Sequence, residues 1–300
     1  MSLKSLLVIA CAAGLLLAAG LPAAAADAAA AQPALKCLIV DGQNNHNWQE
    51  TTPIMKKVLE ETGLFTVDVA TSPPKKGGMS AFKPDFAKYN VVLLNYTGDA
   101  WPAETNKAFV EYVASGGGVV VVHAANNAFP DWTEYNEIAG VGGWGGRDEK
   151  SGPYVYWQDG KTVRDTSPGR GGAHGPQYPI QIVVRAPDHP VTQGLPEKFM
   201  HSTEEFYHSL RGPAKNLTIL ATALAEKEKK GTGRQEPVLM TIDYGKGRVF
   251  HTVLGHAGTQ MKSVAFIVTL QRGAEWAATG KVTQKTPDDM PTADEAKRRE

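Results

Sequence analysis

Three runs of four consecutive apolar residues constrain this chain more than any other feature: Cys37-Leu38-Ile39-Val40, Val91-Val92-Leu93-Leu94 and Val119-Val120-Val121-Val122. Each is too short for a buried helix and keeps no polar residue to turn toward water. That pattern predicts strands covered on both faces, as in a parallel sheet. Between them, residues 51–62 carry apolar side chains at helical spacing (Ile54, Met55, Val58, Leu59) and stop at Gly63, and 64–69 read as another strand. Residues 103–114 read as a second helix, closed by Gly116-Gly117-Gly118. This alternation of strand and helix predicts a doubly wound α/β fold. Further strands are expected at 180–184, 217–223, 238–244 and 248–253. The turn Tyr244-Gly245-Lys246-Gly247 joins the last two as an antiparallel hairpin. A helix over 263–279 closes the domain. Residues 126–178 break the rhythm; they are rich in Gly and hold three of the six Trp, and a long irregular insertion of this kind is commonly functional.

The N-terminus reads as a targeting segment. Lys4 precedes an apolar stretch over 6–21, and Ala24-Ala25-Ala26 offers a cleavage site before Asp27. The expected organisation is a signal peptide over 1–26, an Ala-rich linker over 27–35, a folded domain over 36–280 and a charged, disordered tail over 281–300. Cys11 would leave with the signal, so Cys37 has no partner for an intramolecular disulfide. No second apolar stretch reaches membrane length, so the mature protein is expected to be exported, periplasmic or secreted, and not membrane-spanning. Thirty-one basic residues balance thirty-one acidic ones, which argues against a nucleic-acid partner. No GxGxxG follows the first strand, so no nucleotide cofactor is expected, and no GxSxG elbow is present.

In open α/β sheets, ligands bind beyond the carboxyl ends of the strands. Asp41 and His46 follow the first apolar run, His123 and Asn126 follow the run at 119–122, and His256 follows the strand at 248–253 after Gly255. If those strands are neighbours, three imidazoles converge. His123 sits at an abrupt strand exit, where an imidazole suits general base, electrophile or metal-ligand work. His251 lies inside a strand and reads as a core residue, His174 and His189 are weak candidates, and Asp188-His189-Pro190 reads as a structural turn. In the segment His201-Ser202-Thr203-Glu204-Glu205-Phe206-Tyr207-His208, Glu205 is the favoured carboxylate, with Tyr207 beside it in alternation. In the insertion, Trp144 offers a stacking ring and Arg147 a bidentate donor, a combination suited to sugar or carboxylate binding. The expected catalytic residues are therefore His123, His256 and Glu205. The expected substrate-binding residues are Asp41, His46, Asn126, Trp144, Arg147 and Tyr207. His46, His123, His256 and Glu205 also have ligand types suited to a divalent metal, although spacing along the chain does not decide it.

Several of these segments together resemble the ThuA-like (trehalose-utilisation) family of the class I glutamine amidotransferase-like superfamily. They are Gly-Gly-Gly-Val-Val-Val-Val-His at 116–123, Asp188-His189-Pro190-Val191-Thr192 with Gly194-Leu195-Pro196, and Glu204-Glu205-Phe206-Tyr207. To these are added Pro237-Val238-Leu239-Met240-Thr241 and Tyr244-Gly245-Lys246-Gly247-Arg248-Val249-Phe250, leading to Leu254-Gly255-His256. The resemblance covers roughly 36–280 and implies a three-layer α/β/α, flavodoxin-like domain with a mostly parallel sheet and a C-terminal β-hairpin. Glu204 stands where the family commonly has Asp. Amidotransferase chemistry is not expected, because His123 occupies the elbow where that reaction needs a cysteine nucleophile, and Cys37 lies in the first strand. The resemblance further implies a sugar-active lyase, hydrolase or isomerase acting on glycosides or 3-keto-glycosides, working beside a sugar oxidoreductase. The alternatives are a non-catalytic sugar-binding accessory protein and a metal-dependent hydrolase on the same fold.

Overall fold

The apolar runs form adjacent parallel strands, and the helices between them supply the crossovers that parallel pairing requires. The computed structural model describes residues 34–300; the signal-peptide reading over 1–26 and nearly all of the linker lie outside the described residues. In chain order the first half runs β1 (Leu35–Asp41), α1 (Trp48–Glu60), β2 (Phe65–Thr71), β3 (Val91–Leu94), α2 (Ala103–Ala114) and β4 (Gly118–Val122). The insertion holds α3 (Thr133–Ala139) and a hairpin of β5 (Tyr154–Gln158) and β6 (Lys161–Asp165). Then come β7 (Tyr178–Val184), β8 (Lys198–Glu204), β9 (Leu217–Leu224), β10 (Gln235–Tyr244), β11 (Gly247–Thr252), α4 (Gly258–Met261) and α5 (Val264–Thr279). The sheet order is β2-β1-β3-β4-β11-β10-β9-β7-β8, with β5 and β6 attached through β10.

The expectation of a mostly parallel sheet is corrected. Pairing is parallel only from β2 through β11. From β11 onward every pair is antiparallel. The cause is the absence of crossovers: no α-helix lies between β5 and α4, so successive strands here connect through turns, loops or a short 3-10 turn. The expected hairpin at 238–253 is present, with Tyr244 paired to Gly247. Burial follows the same division. β3 and β4 are buried along their whole length, whereas β7 alternates buried and exposed positions.

Helices cover both faces around β4 and β11. On one face, Phe250 of β11 packs against Gly273 of α5, where an added Cβ would stand 2.1 Å from the ring; only glycine lets this helix approach. On the other, His251 points to the end of α3, with Nδ1 2.8 Å from the carbonyl of Ala139. The tail expected to be disordered is instead strapped to the domain. Arg272 of α5 donates to the carbonyl of Gln284 at 2.6 Å, and Glu275 accepts the N–H of Thr283 at 2.7 Å. Met290 is buried, and Met200 donates its N–H to the carbonyl of Thr292. Part of the anchoring comes from α5, outside the segment, and part from its own charges, Arg298 on the carbonyl of Thr259 and Arg299 on Asp289, whose partners the composition does not reveal.

Candidate active site at the carboxyl ends of the parallel strands

Strands β1, β4 and β11 end at the same edge of the sheet, β4 beside β11 and β1 one strand away across β3, and a histidine follows each. His46 and His123 have ring centroids 4.9 Å apart, His46 and His256 4.6 Å, and His123 and His256 5.5 Å. The convergence expected from strand order is thus present. Glu205, one residue beyond β8, completes the group. Its Oε2 lies 3.1 Å from His256 Nδ1, 3.5 Å from His46 Nε2 and 3.8 Å from His123 Nε2.

Each ring is held by its surroundings. His123 leaves β4 in the left-handed region, φ 46°, a conformation costing about 1–3 kcal/mol for a non-glycine residue. Its Nδ1 lies 2.6 Å from the carbonyl of Val253, which ties the exit of β4 to the exit of β11. Because a carbonyl only accepts, Nδ1 carries the proton and Nε2 presents its lone pair to the cluster. His46 is held by Asn44, whose Oδ1 accepts its backbone N–H at 3.0 Å and faces its Nδ1 at 3.3 Å. The Asn44 amide nitrogen is committed to Asn95, so Oδ1 is the acceptor and His46 Nε2 is also a lone pair. His256 follows Gly255, whose φ of 106° and close packing against Phe266 leave no room for a side chain. Its Nε2 meets the Gln177 amide at 3.1 Å.

Glu204 organises this edge from beneath. It is fully buried and accepts four contacts: His201 Nε2 at 3.1 Å and the N–H of Gly255 at 2.8 Å on one oxygen, and the N–H groups of Glu205 at 2.9 Å and His256 at 3.2 Å on the other. Burial alone would raise its carboxyl, but the His201 hydrogen bond and charge outweigh it and hold it low. Burial likewise opposes ionisation of Glu205, yet the His123, His256 and His46 rings around it hold its carboxyl far below the usual range. In return the Glu205 carboxylate pushes His256 up, while burial pushes His46 down.

Above the cluster opens a cavity of about 450 Å³, reached by His46 and Glu205 at its base. Trp144 and Tyr207 form an aromatic wall with centroids 4.5 Å apart, and Tyr207 stacks on His123 at 4.0 Å. Asn45, Thr97 and Asn127 supply polar edges. The combination of aromatic faces with amide and hydroxyl groups suits a polyol that has both apolar C–H faces and hydroxyls. A larger hollow of about 550 Å³ lies by Asn90 and Gly117, at the opposite ends of β3 and β4, away from the imidazoles.

Three expected binding residues do not reach this cavity. Asp41 is buried at the end of β1, where burial raises its carboxyl and the hydroxyls of Thr71 and Thr52 partly offset that. Asn126 faces the core and pairs its amide with His251 Nε2 at 3.1 Å; its neighbour Asn127 lines the cavity instead. Arg147 is buried, with its guanidinium spent on the carbonyls of Asn127, Gly143 and Ala128 and on Asn136 Oδ1. Burial lowers it to about 10. It clamps the Trp144 loop from behind and has no free fork for a ligand. His174, a weak candidate in the sequence, lines the cavity with Nδ1 3.4 Å from Glu205 Oε1. The glycines around it, at 171, 172 and 175, were the available signal. Thr97 was visible only as a polar residue just past a strand. His251 and His189 are packed residues, the latter against Trp276.

The sequence matches the ThuA family model, described as trehalose utilisation, over residues 36–277. Among solved structures, a ThuA-like protein from Parabacteroides merdae is 51% identical, with 89% of this chain and 98% of that one covered and a TM-score of 0.87. A second ThuA-like protein, from Bacteroides uniformis, is 20% identical over 89% of this chain and 98% of that one, with a TM-score of 0.57, a likeness of fold. No curated protein matches. The match over most of the chain and the half-identical relative, with the same large mixed sheet, place the protein in the ThuA family.

Proposed function

We propose that this protein is an exported, carbohydrate-active enzyme that acts on glycosides or 3-keto-glycosides in the cavity over Glu205. The observation that carries the reading is the meeting of His46, His123 and His256 at Glu205 Oε2, directly beneath the Trp144–Tyr207 wall. His46 and Glu205 line the same cavity as the aromatic wall, and His123 lies behind Tyr207, stacked on its ring. The family's association with trehalose utilisation supports the same substrate class. The order β2-β1-β3-β4-β11 supports reading the parallel half as flavodoxin-like, with the ligand at the edge where such folds bind theirs.

The chemistry follows from the ketone. A carbonyl at C3 acidifies the C–H at C2, so a base in the cluster removes that proton and the glycosidic C1–O bond breaks as the C1=C2 bond forms. The expelled oxygen takes a proton, and addition of water across the new double bond completes a net hydrolysis. Such a substrate requires a separate oxidoreductase to oxidise the sugar at C3. Solvent exchange tests the first step: in D2O the protein should place deuterium at C2 of a 3-keto-glycoside faster than buffer does. Equal rates would remove proton abstraction from the reading.

A second reading, a sugar-binding accessory protein, draws on the same wall. It differs in what the histidines do. In an enzyme, His123→Ala abolishes turnover and leaves sugar affinity nearly intact; in a binder, Trp144→Ala carries the larger loss.

A further inference from the structure

Two imidazole lone pairs at the base of the cavity converge on one carboxylate oxygen, and of the three rings only His256 is placed to donate to it. The Val253 carbonyl fixes the proton of His123 on Nδ1, and Asn44 fixes that of His46 on Nδ1, so both Nε2 atoms are acceptors. Both point at Glu205 Oε2, a third acceptor, at 3.8 and 3.5 Å. His123 Nε2 and His256 Nδ1 are buried and have no hydrogen-bond partner among the described residues. Buried polar atoms are rarely left in this state, and three converging acceptors repel unless positive charge sits among them.

We propose that His46, His123, His256 and Glu205 bind one divalent transition-metal ion. The geometry supports this directly. Donors held about 2.1 Å from an ion lie roughly 3–3.5 Å from one another. The three nitrogens stand 3.1, 3.5 and 3.8 Å from the shared carboxylate oxygen, and all four donor atoms fall within 4.8 Å of one another. Small movements close the remainder. The outer contacts also match those of a built metal site, in which each ligating ring donates its other N–H to a protein acceptor. Val253 and Asn44 serve His123 and His46. For His256, Nε2 faces the Gln177 amide nitrogen at 3.1 Å while the Gln177 oxygen accepts from Gln260 Nε2 at 3.0 Å, so ligation through Nδ1 requires this amide to turn its oxygen to the ring. Glu204 fixes the backbones of Glu205 and His256 together, so two of the four ligands share one buried anchor.

Three imidazoles and one carboxylate suit zinc, manganese, iron, cobalt or nickel in their divalent states, and do not suit calcium or magnesium, which take oxygen ligands. An ion that accepts five or six ligands keeps one or two positions open toward Trp144 and Tyr207. The proposal deepens the carbohydrate reading, on which it rests for its role: the ion would receive the C3 carbonyl oxygen and stabilise the enolate.

The test needs no sugar. Protein stripped with chelator is titrated with Co2+ and followed by visible absorption, and with Zn2+ and Mn2+ by calorimetry. One saturable equivalent with a cobalt d–d band is expected. Glu205→Gln and His46→Ala should each weaken binding by about 10-fold or more with an unchanged far-UV spectrum, as should His123→Ala if it folds. His189→Gln, remote from the cluster, should bind normally. Absence of saturable binding by any of the three ions overturns the proposal, as does binding that Glu205→Gln and His46→Ala leave unchanged. Turnover of a keto-sugar by metal-free protein overturns the ion's role at the enolate while leaving the carbohydrate reading intact. One bound ion with no sugar chemistry upholds the site and sinks that reading alone.

Discussion

Glu204 accepts the backbone N–H of His256 at 3.2 Å across 52 residues of sequence. The same oxygen holds the N–H of Glu205, and its other oxygen holds His201 and Gly255. A fully buried carboxylate thus sets the spacing between two residues that do not otherwise share an element. Glu204→Gln replaces one acceptor with a donor against two N–H groups. It should cost about 3–5 kcal/mol of stability, the usual effect of breaking a buried, paired charge. Urea unfolding measures this, and a loss below about 1 kcal/mol would show that the anchor is dispensable.

Arg147 makes a second prediction. Its guanidinium gathers three carbonyls and one side-chain oxygen behind the Trp144 loop. Arg147→Lys keeps the charge but has no planar fork, so it should fail to rescue the stability lost in Arg147→Ala. Both variants should melt earlier than the parent. A lysine variant that melts with the parent would show that charge alone suffices.

Trp144 is expected to act through affinity. It holds a left-handed backbone, φ 54°, with its ring against Tyr207. Trp144→Ala should weaken sugar binding by about 10-fold, the worth of one lost stacking face, which calorimetry with a disaccharide would record. An unchanged Kd would place the sugar elsewhere.

Stability should also fall in mild acid. Burial lowers His251 to about 4, and its ring is satisfied in the neutral form by Ala139 and Asn126. The unfolded chain takes up that proton near pH 6.5, so the contribution is full above 6.5 and is lost progressively down to about pH 4. His251 alone accounts for about 3 kcal/mol across that window. His208, also lowered to about 4 mainly by burial, adds in the same direction. Unfolding free energies at pH 7 and pH 4.5 check the sign; equal values would contradict it.

The parallel half of the fold and the meeting of the histidines were legible because both follow from local rules. A continuous apolar run must be covered on both faces, and a polar residue just past it lies at the ligand-binding edge. What lay beyond those rules was side-chain direction. Asn126 and Asn127 are adjacent in sequence, yet one pairs with His251 in the core and the other lines the cavity. Arg147 looked like a ligand donor because its four oxygen partners come from segments whose approach no spacing reveals. The antiparallel half was misjudged for a related reason. Strands such as β9 are apolar enough to suit either pairing, and only the absence of intervening helices decides it.

A cavity over Glu205 that transforms a keto-sugar must consume one in solution. The most direct test is to incubate the purified protein, supplied with divalent metal, with a 3-keto-disaccharide and to follow the sugar resonances by NMR. The parent protein should consume the substrate, and His123→Ala should consume none. Unchanged resonances with folded, metal-supplied protein, or equal consumption by His123→Ala, would contradict this.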